Sequence, residues 1–229
     1  MRRFAALLFA GGLGFVLLVI VTQLNLGQTP MIVGQEMLNV AGAQVGAANI
    51  VTSVLLAYRG FDTLGELSVL FAAATVIGLV LGHRRSNAAV DPDGGFVLQA
   101  GADLLFPLLL VVGCNIILYG HLTPGGGFQG GVILAAAFFV GVLGRPSTGL
   151  DHSVIEVIEG FAGSAFIAVG LWALFAEGEF LMPMLDPGTV GDLISAGTLP
   201  LLSLALGLKV GSELAGLMTS LANTEAGDP

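Results

Sequence analysis

Apolar residues fall along this chain in seven long runs, separated by short polar or glycine- and proline-rich breaks. The runs cover roughly residues 4–21, 37–58, 63–81, 97–118, 128–143, 154–175 and 193–218. Most approach the ~20 residues that an α-helix needs to cross hydrocarbon, and all are too long for barrel strands. The pattern predicts an all-α integral membrane protein with about seven transmembrane helices. The widest polar break, HRRSNAAVDPDGG at 83–95, divides them three plus four. The expected organisation is a three-helix unit over 1–82, a polar linker over 83–95, a four-helix unit over 96–220 and a polar tail over 221–229. The first run follows two arginines and imitates a signal peptide. It lacks a convincing small-residue cleavage site, so it is read as a retained span.

Between the fourth and fifth runs lies YGHLTPGGGFQGG, Tyr119 to Gly131. Pro124 followed by Gly125, Gly126 and Gly127 cannot continue a helix, because proline removes a donor and glycine favours other backbone shapes. A re-entrant or interfacial loop is expected, with the short fifth helix starting inside it near Phe128. Such backbone survives at membrane depth only against protein or a wet cavity. A structural turn and the border of an ion path that includes His121 both fit. A nucleotide loop does not, because the Lys-Ser/Thr of a phosphate cradle is missing.

Composition sharpens the picture. The chain is 55% hydrophobic and 10% charged, where soluble domains carry about a quarter charged residues. Its 35 glycines suit close helix packing, and its net charge of −9 argues against nucleic acid as a partner. A single cysteine, Cys114, precludes a disulfide within the chain. The scattered His83, Cys114, His121 and His152 show no metal-site spacing. No haem or cluster ligand set and no nucleophile–base set is visible, so no cofactor is expected on this chain.

Ionisable groups within spans are the candidates for function. In the second run Asn39, Gly42, Gly46, Asn49 and Ser53 follow steps of three and four. They would share one face, as helix–helix glue or as a polar path. Next, Arg59, Asp62, Thr63 and Glu66 form a cluster. Thr63 and Glu66 read as a capping box and Arg59 as a partner for Asp62, while the two acids also fit cation or proton passage. Asp103 stands alone one turn before Pro107 and needs a proton, water or a cation from elsewhere. Glu156 reads as half of a second capping box with Ser153, whereas no cap explains Glu159. Lys209 can pair with Glu213 one turn on. A proton relay and snorkelling to the inner surface compete for its role, and snorkelling is the simpler. A count of basic residues places the C-terminus in the cytoplasm.

Two of these blocks resemble one family. RGFDTLGE at Arg59–Glu66 looks like the C-terminal part of the large A-type chain of Mrp-type multisubunit Na+/H+ antiporters, and like the small E-type chain of membrane-bound hydrogenases. YGHLTPGGGFQGG resembles the signature of the antiporter's B-type chain, the MnhB family. The resemblance implies a natural fusion of an A-type tail with a four-helix B-type domain, multi-pass in the cell (inner) membrane. Its implied partners are large A- and D-type and small C-, E-, F- and G-type chains, with peripheral redox subunits if the parent is a hydrogenase-like complex. Na+ or H+ would pass transiently. The family's acidic residue two positions before the arginine is Ala57 here, and its asparagine seven positions before is Thr52. Either the relay is lost or Asp62 or Glu66 takes it over.

Overall fold

The structure, a computed structural model, describes residues 2–23, 31–82, 95–145 and 152–225. It is helical throughout, with no strand among the described residues. The elements are α1 (Arg2–Gln23), α2 (Ile32–Val45), α3 (Ile50–Ser53, continuing as a π-helical turn over Val54–Tyr58), α4 (Gly60–Gly82), α5 (Phe96–Leu118), α6 (Gly127–Gly144), α7 (His152–Glu177) and α8 (Leu199–Glu225). Six of these helices are long and apolar enough to cross a membrane, or seven if the bent pair α2–α3 counts as one span. The chain is a multi-pass membrane protein. Of the expected linker at 83–95, residues 83–94 lie outside the described residues, as do residues 226–229 of the expected tail at 221–229, whose first five residues continue α8.

The chain forms two compact units, Met1–Glu36 and Met37–Pro229. The first consists mainly of α1, apolar all round and exposed along its length, as suits a helix facing lipid or a partner. In the second, α8 is the hub against which α6, α7, α4 and the π turn pack. Their shared core is Leu56, Leu67, Phe166, Leu202, Leu206 and Val210. The α6–α8 seam is close because it lacks side chains: a Cβ on Gly131 would lie 2.8 Å from the Gly207 carbonyl oxygen.

Three sequence expectations change. The second span is not continuous. Ile32–Val45 and Ile50–Tyr58 meet at 85° across Gly46, whose φ of +74° ends α2, so the face proposed for Asn39 through Ser53 breaks there. Neither capping box sits at a helix start, because α4 begins at Gly60 and α7 at His152, which leaves Thr63 and Ser153 inside their first turns. The last helix starts at Leu199 rather than near 193, with Pro200 in its first turn. The segment before it, 178–198, folds back onto the bundle. Leu181 is fully buried there with φ 65°, and the Phe180 ring lies 4.7 Å from that of Phe61.

Candidate functional site

Two buried polar groups lie in the second unit. The first joins the broken span to the glycine-rich turn. Asn49 caps α3, its Oδ1 accepting from the amides of Val51 and Thr52 at 3.1 and 3.3 Å. Its Nδ2 donates to the carbonyls of Gly120 and Thr123, both at 2.8 Å, and its amide to the carbonyl of His121 at 2.9 Å. Thr52 Oγ1 donates to the same Gly120 carbonyl at 2.7 Å. Beyond these acceptors the turn passes through Gly125 and Gly126, at φ +154° and +141°, backbone shapes that side chains disfavour. Phe128 then packs against the core from the first turn of α6, while Pro124 remains exposed. His121 is fully buried at this junction and neither ring nitrogen has a hydrogen-bond partner among the described residues. Burial lowers its pKa, and the nearby carbonyls of Asp192, Leu193 and Leu118 oppose the shift only in part.

The second group is ionic and sits at mid-span. Lys209, near the middle of the Leu199–Leu221 stretch, donates to Glu159 Oε1 on α7 at 2.6 Å. Its Nζ also lies 2.9 Å from Glu213 Oε2, one turn further along α8, and 4.9 Å from the centre of the Phe71 ring on α4. Lys209 is 8% exposed and Glu213 is 3% exposed. Lys209 is therefore not snorkelling: its ammonium is held across the helix seam. Glu159, which no cap explained, is its partner. Glu213 completes the group; the one-turn spacing pointed to that pairing, but nothing in the sequence pointed to the contact with α7.

The remaining candidates separate. Asp103 forms a two-pronged ion pair with Arg145, the residue that follows α6, with Arg145 Nη2 to Asp103 Oδ2 at 2.8 Å. Its cation thus comes from the neighbouring helix of the same chain. Arg59 and Asp62 pair at 2.6 Å with both side chains more than half exposed. Thr63 is buried and donates at 2.6 Å to the carbonyl of Leu55 in the π turn. Glu66, Glu156 and Asn39 are exposed and join neither buried group. Ala57 and Thr52, the two departures from the antiporter pattern, are both buried. No group of three metal-ligating side chains occurs among the described residues.

A broken span stapled to a glycine turn, with a lysine and two carboxylates enclosed at bilayer depth, defines a polytopic membrane protein of the kind that holds charge inside the bilayer. The chain belongs to the family of domains related to the MnhB subunit of Na+/H+ antiporters, which matches residues 97–216. A second family, MbhE of MBH, matches residues 1–93. An uncharacterised protein of Methanocaldococcus jannaschii is 33% identical over 75% of each chain. A probable K+/H+ antiporter A/B-type chain of Rhizobium meliloti is 29% identical, over 61% of this chain and 16% of its own. Among solved structures, a chain of the membrane-bound sulfane sulfur reductase, an archaeal respiratory membrane complex, superposes with TM-score 0.78 at 35% identity, covering 96% of this chain and 97% of that one. A chain of the Mrp complex from Dietzia sp. DQ12-45-1b gives TM-score 0.74 at 25% identity, covering 96% of this chain and 26% of that one. Both solved chains are parts of multisubunit membrane complexes.

Proposed function

We propose that this chain is a non-catalytic membrane subunit of a multisubunit cation/proton antiporter module, lining or sealing the ion pathway beside larger transporting subunits. The observation that carries this reading is the Glu159–Lys209–Glu213 group. Ionised side chains at membrane depth are costly, so their presence marks a functional site. The chains next to it would be the large A- and D-type and the small C-, E-, F- and G-type ones, with the C-terminus in the cytoplasm. Residues 1–82 would act as the A-type tail and 96–220 as the B-type domain. Of the residues offered as the ion path, Glu159 and Lys209 fit best by enclosure. Asp62, Glu66, Asp103 and Glu156 would serve at the seam with neighbours.

The test is Na+/H+ or K+/H+ exchange in vesicles holding the assembled complex. Glu159→Gln and Asp103→Asn should each depress exchange while the complex still assembles. Full exchange in both variants would overturn the reading and leave a scaffold.

A second reading places the same module in a redox-driven complex. The near end-to-end coverage of the sulfane sulfur reductase chain, against 26% of the Mrp chain, favours it. Copurification in mild detergent separates the two: cysteine-rich, cluster-bearing subunits would accompany the redox form and be absent from the antiporter.

A further inference from the structure

We infer that Glu159, Lys209 and Glu213 form a buried site holding one exchangeable proton shared between the two carboxylates. Two carboxylates face one ammonium, so the site in its fully ionised form carries one excess negative charge among apolar side chains. Glu213 Oε1 is enclosed and has no partner among the described residues, although Glu213 is almost fully buried. An uncompensated charge in such surroundings is strongly disfavoured. Among the described residues, the groups facing the site do not supply compensation. From α4 comes the ring of Phe71, with Glu66 exposed and more than a turn away. From the described side chains of α7 comes Glu159, with Glu156 one turn back and exposed. From α6 nothing charged can come, and Asp103 on α5 is taken by Arg145.

The missing positive charge is a proton rather than a metal ion. Hard cations gather several oxygen ligands, and this site offers only its carboxylates beside a repelling ammonium. A proton needs one oxygen. Loading converts one carboxylate to a carboxylic acid with a single new O–H bond, while Lys209 keeps its ammonium and stays paired to the other carboxylate. Release breaks that O–H bond, hands the proton to water reached through Glu159, and returns the excess charge to the site. Glu213, the more enclosed acid with an unpartnered oxygen, is the better resting place. Glu159, 23% exposed at its side chain, is the way in and out.

A shared proton deepens the transport role and rests on it for its purpose, but its test is an equilibrium measurement that transport does not enter. Infrared difference spectra of the full membrane complex at neutral pH, variant against wild type, report the protonated-carboxyl band. Glu213→Gln should remove one such band. Glu159→Gln should also remove it although Glu213 is still present, because the lysine then faces one carboxylate and both ionise. Lys209→Gln should instead increase the band about twofold, since both acids must then be neutral. Persistence of the wild-type band in either glutamine-for-glutamate variant, or no increase in Lys209→Gln, would overturn the shared proton. Normal ion exchange alongside such a failure would leave the transport reading standing, whereas the expected spectra in a complex that exchanges no ions would sink transport alone.

Discussion

The side-chain amide of Asn49 donates at 2.8 Å to the carbonyl of Gly120, 71 residues further along the chain. The same side chain caps α3, so one residue both starts a half-helix and fastens it to the glycine-rich turn. Replacing it with alanine removes the cap, about 0.5–2 kcal/mol, and two side-chain hydrogen bonds worth roughly 1 kcal/mol each, one to Thr123 and one to Gly120, whose carbonyl keeps only Thr52 as donor. Asn49→Ala should therefore destabilise the assembled complex by about 2–4 kcal/mol, read as a lowered thermal midpoint in detergent. An unchanged midpoint would mean the junction is held some other way.

Glycine substitutions should split by sign. A Cβ on Gly127 would lie 2.6 Å from the Ser203 carbonyl oxygen and 2.7 Å from Leu206 Cβ, with stiff neighbours on both sides. Gly127→Ala should cost about 1–3 kcal/mol as the α6–α8 seam spreads. Gly160 in α7 meets nothing within 4 Å, so Gly160→Ala should be neutral or stabilise by up to about 1 kcal/mol through helix propensity. Parallel melts of the two variants check the contrast.

What could be read without coordinates followed from period and length. Apolar runs near twenty residues place α4, α5, α6 and α7 within a few residues, because hydropathy acts locally. The bend at Gly46 was not readable: an isolated glycine in an apolar run is equally a packing contact, and only φ +74° distinguishes the two. Pairings across helices escaped for the same reason. Asp103 meets Arg145 and Glu159 meets Lys209 at separations of 42 and 50 residues, set by packing angles that no local pattern encodes. The pairs at short separation, Arg59 with Asp62 and Lys209 with Glu213, were readable from spacing on one helix or at its start.

The Arg59–Asp62 pair is exposed on both sides and should contribute no more than about 1 kcal/mol. Asp62→Asn should therefore leave the melting curve nearly unchanged. Any loss of ion exchange in that variant would then report on passage or on contact with a neighbouring subunit rather than on folding.

His121 makes stability depend on pH. Burial lowers its pKa in the folded protein, so the folded state prefers the neutral ring while the unfolded chain binds a proton near pH ~6.5. Its contribution is complete above that value and is lost as pH falls toward the lowered folded pKa. Thermal midpoints should drop as pH is taken from about 7 to about 5. His121→Gln, which cannot titrate, should flatten that part of the curve, and an identical slope in the variant would assign the acid sensitivity elsewhere.

The buried charge group allows stability and transport to be separated. Lys209→Leu leaves two enclosed carboxylates without their cation, and breaking a buried ion pair from one side typically costs about 3–5 kcal/mol. Much of that loss is the work of protonating two enclosed carboxylates that have lost their cation, rather than the lost attraction, so replacing them with neutral side chains should recover it. The triple variant Lys209→Leu, Glu159→Gln, Glu213→Leu places apolar side chains where Phe71 and the core already lie, and should assemble with a thermal midpoint near wild type. Ion exchange by that complex should remain abolished, because no group at the site can carry charge. A triple variant that stays as unstable as Lys209→Leu would show that the charges hold the α7–α8 seam together in their own right.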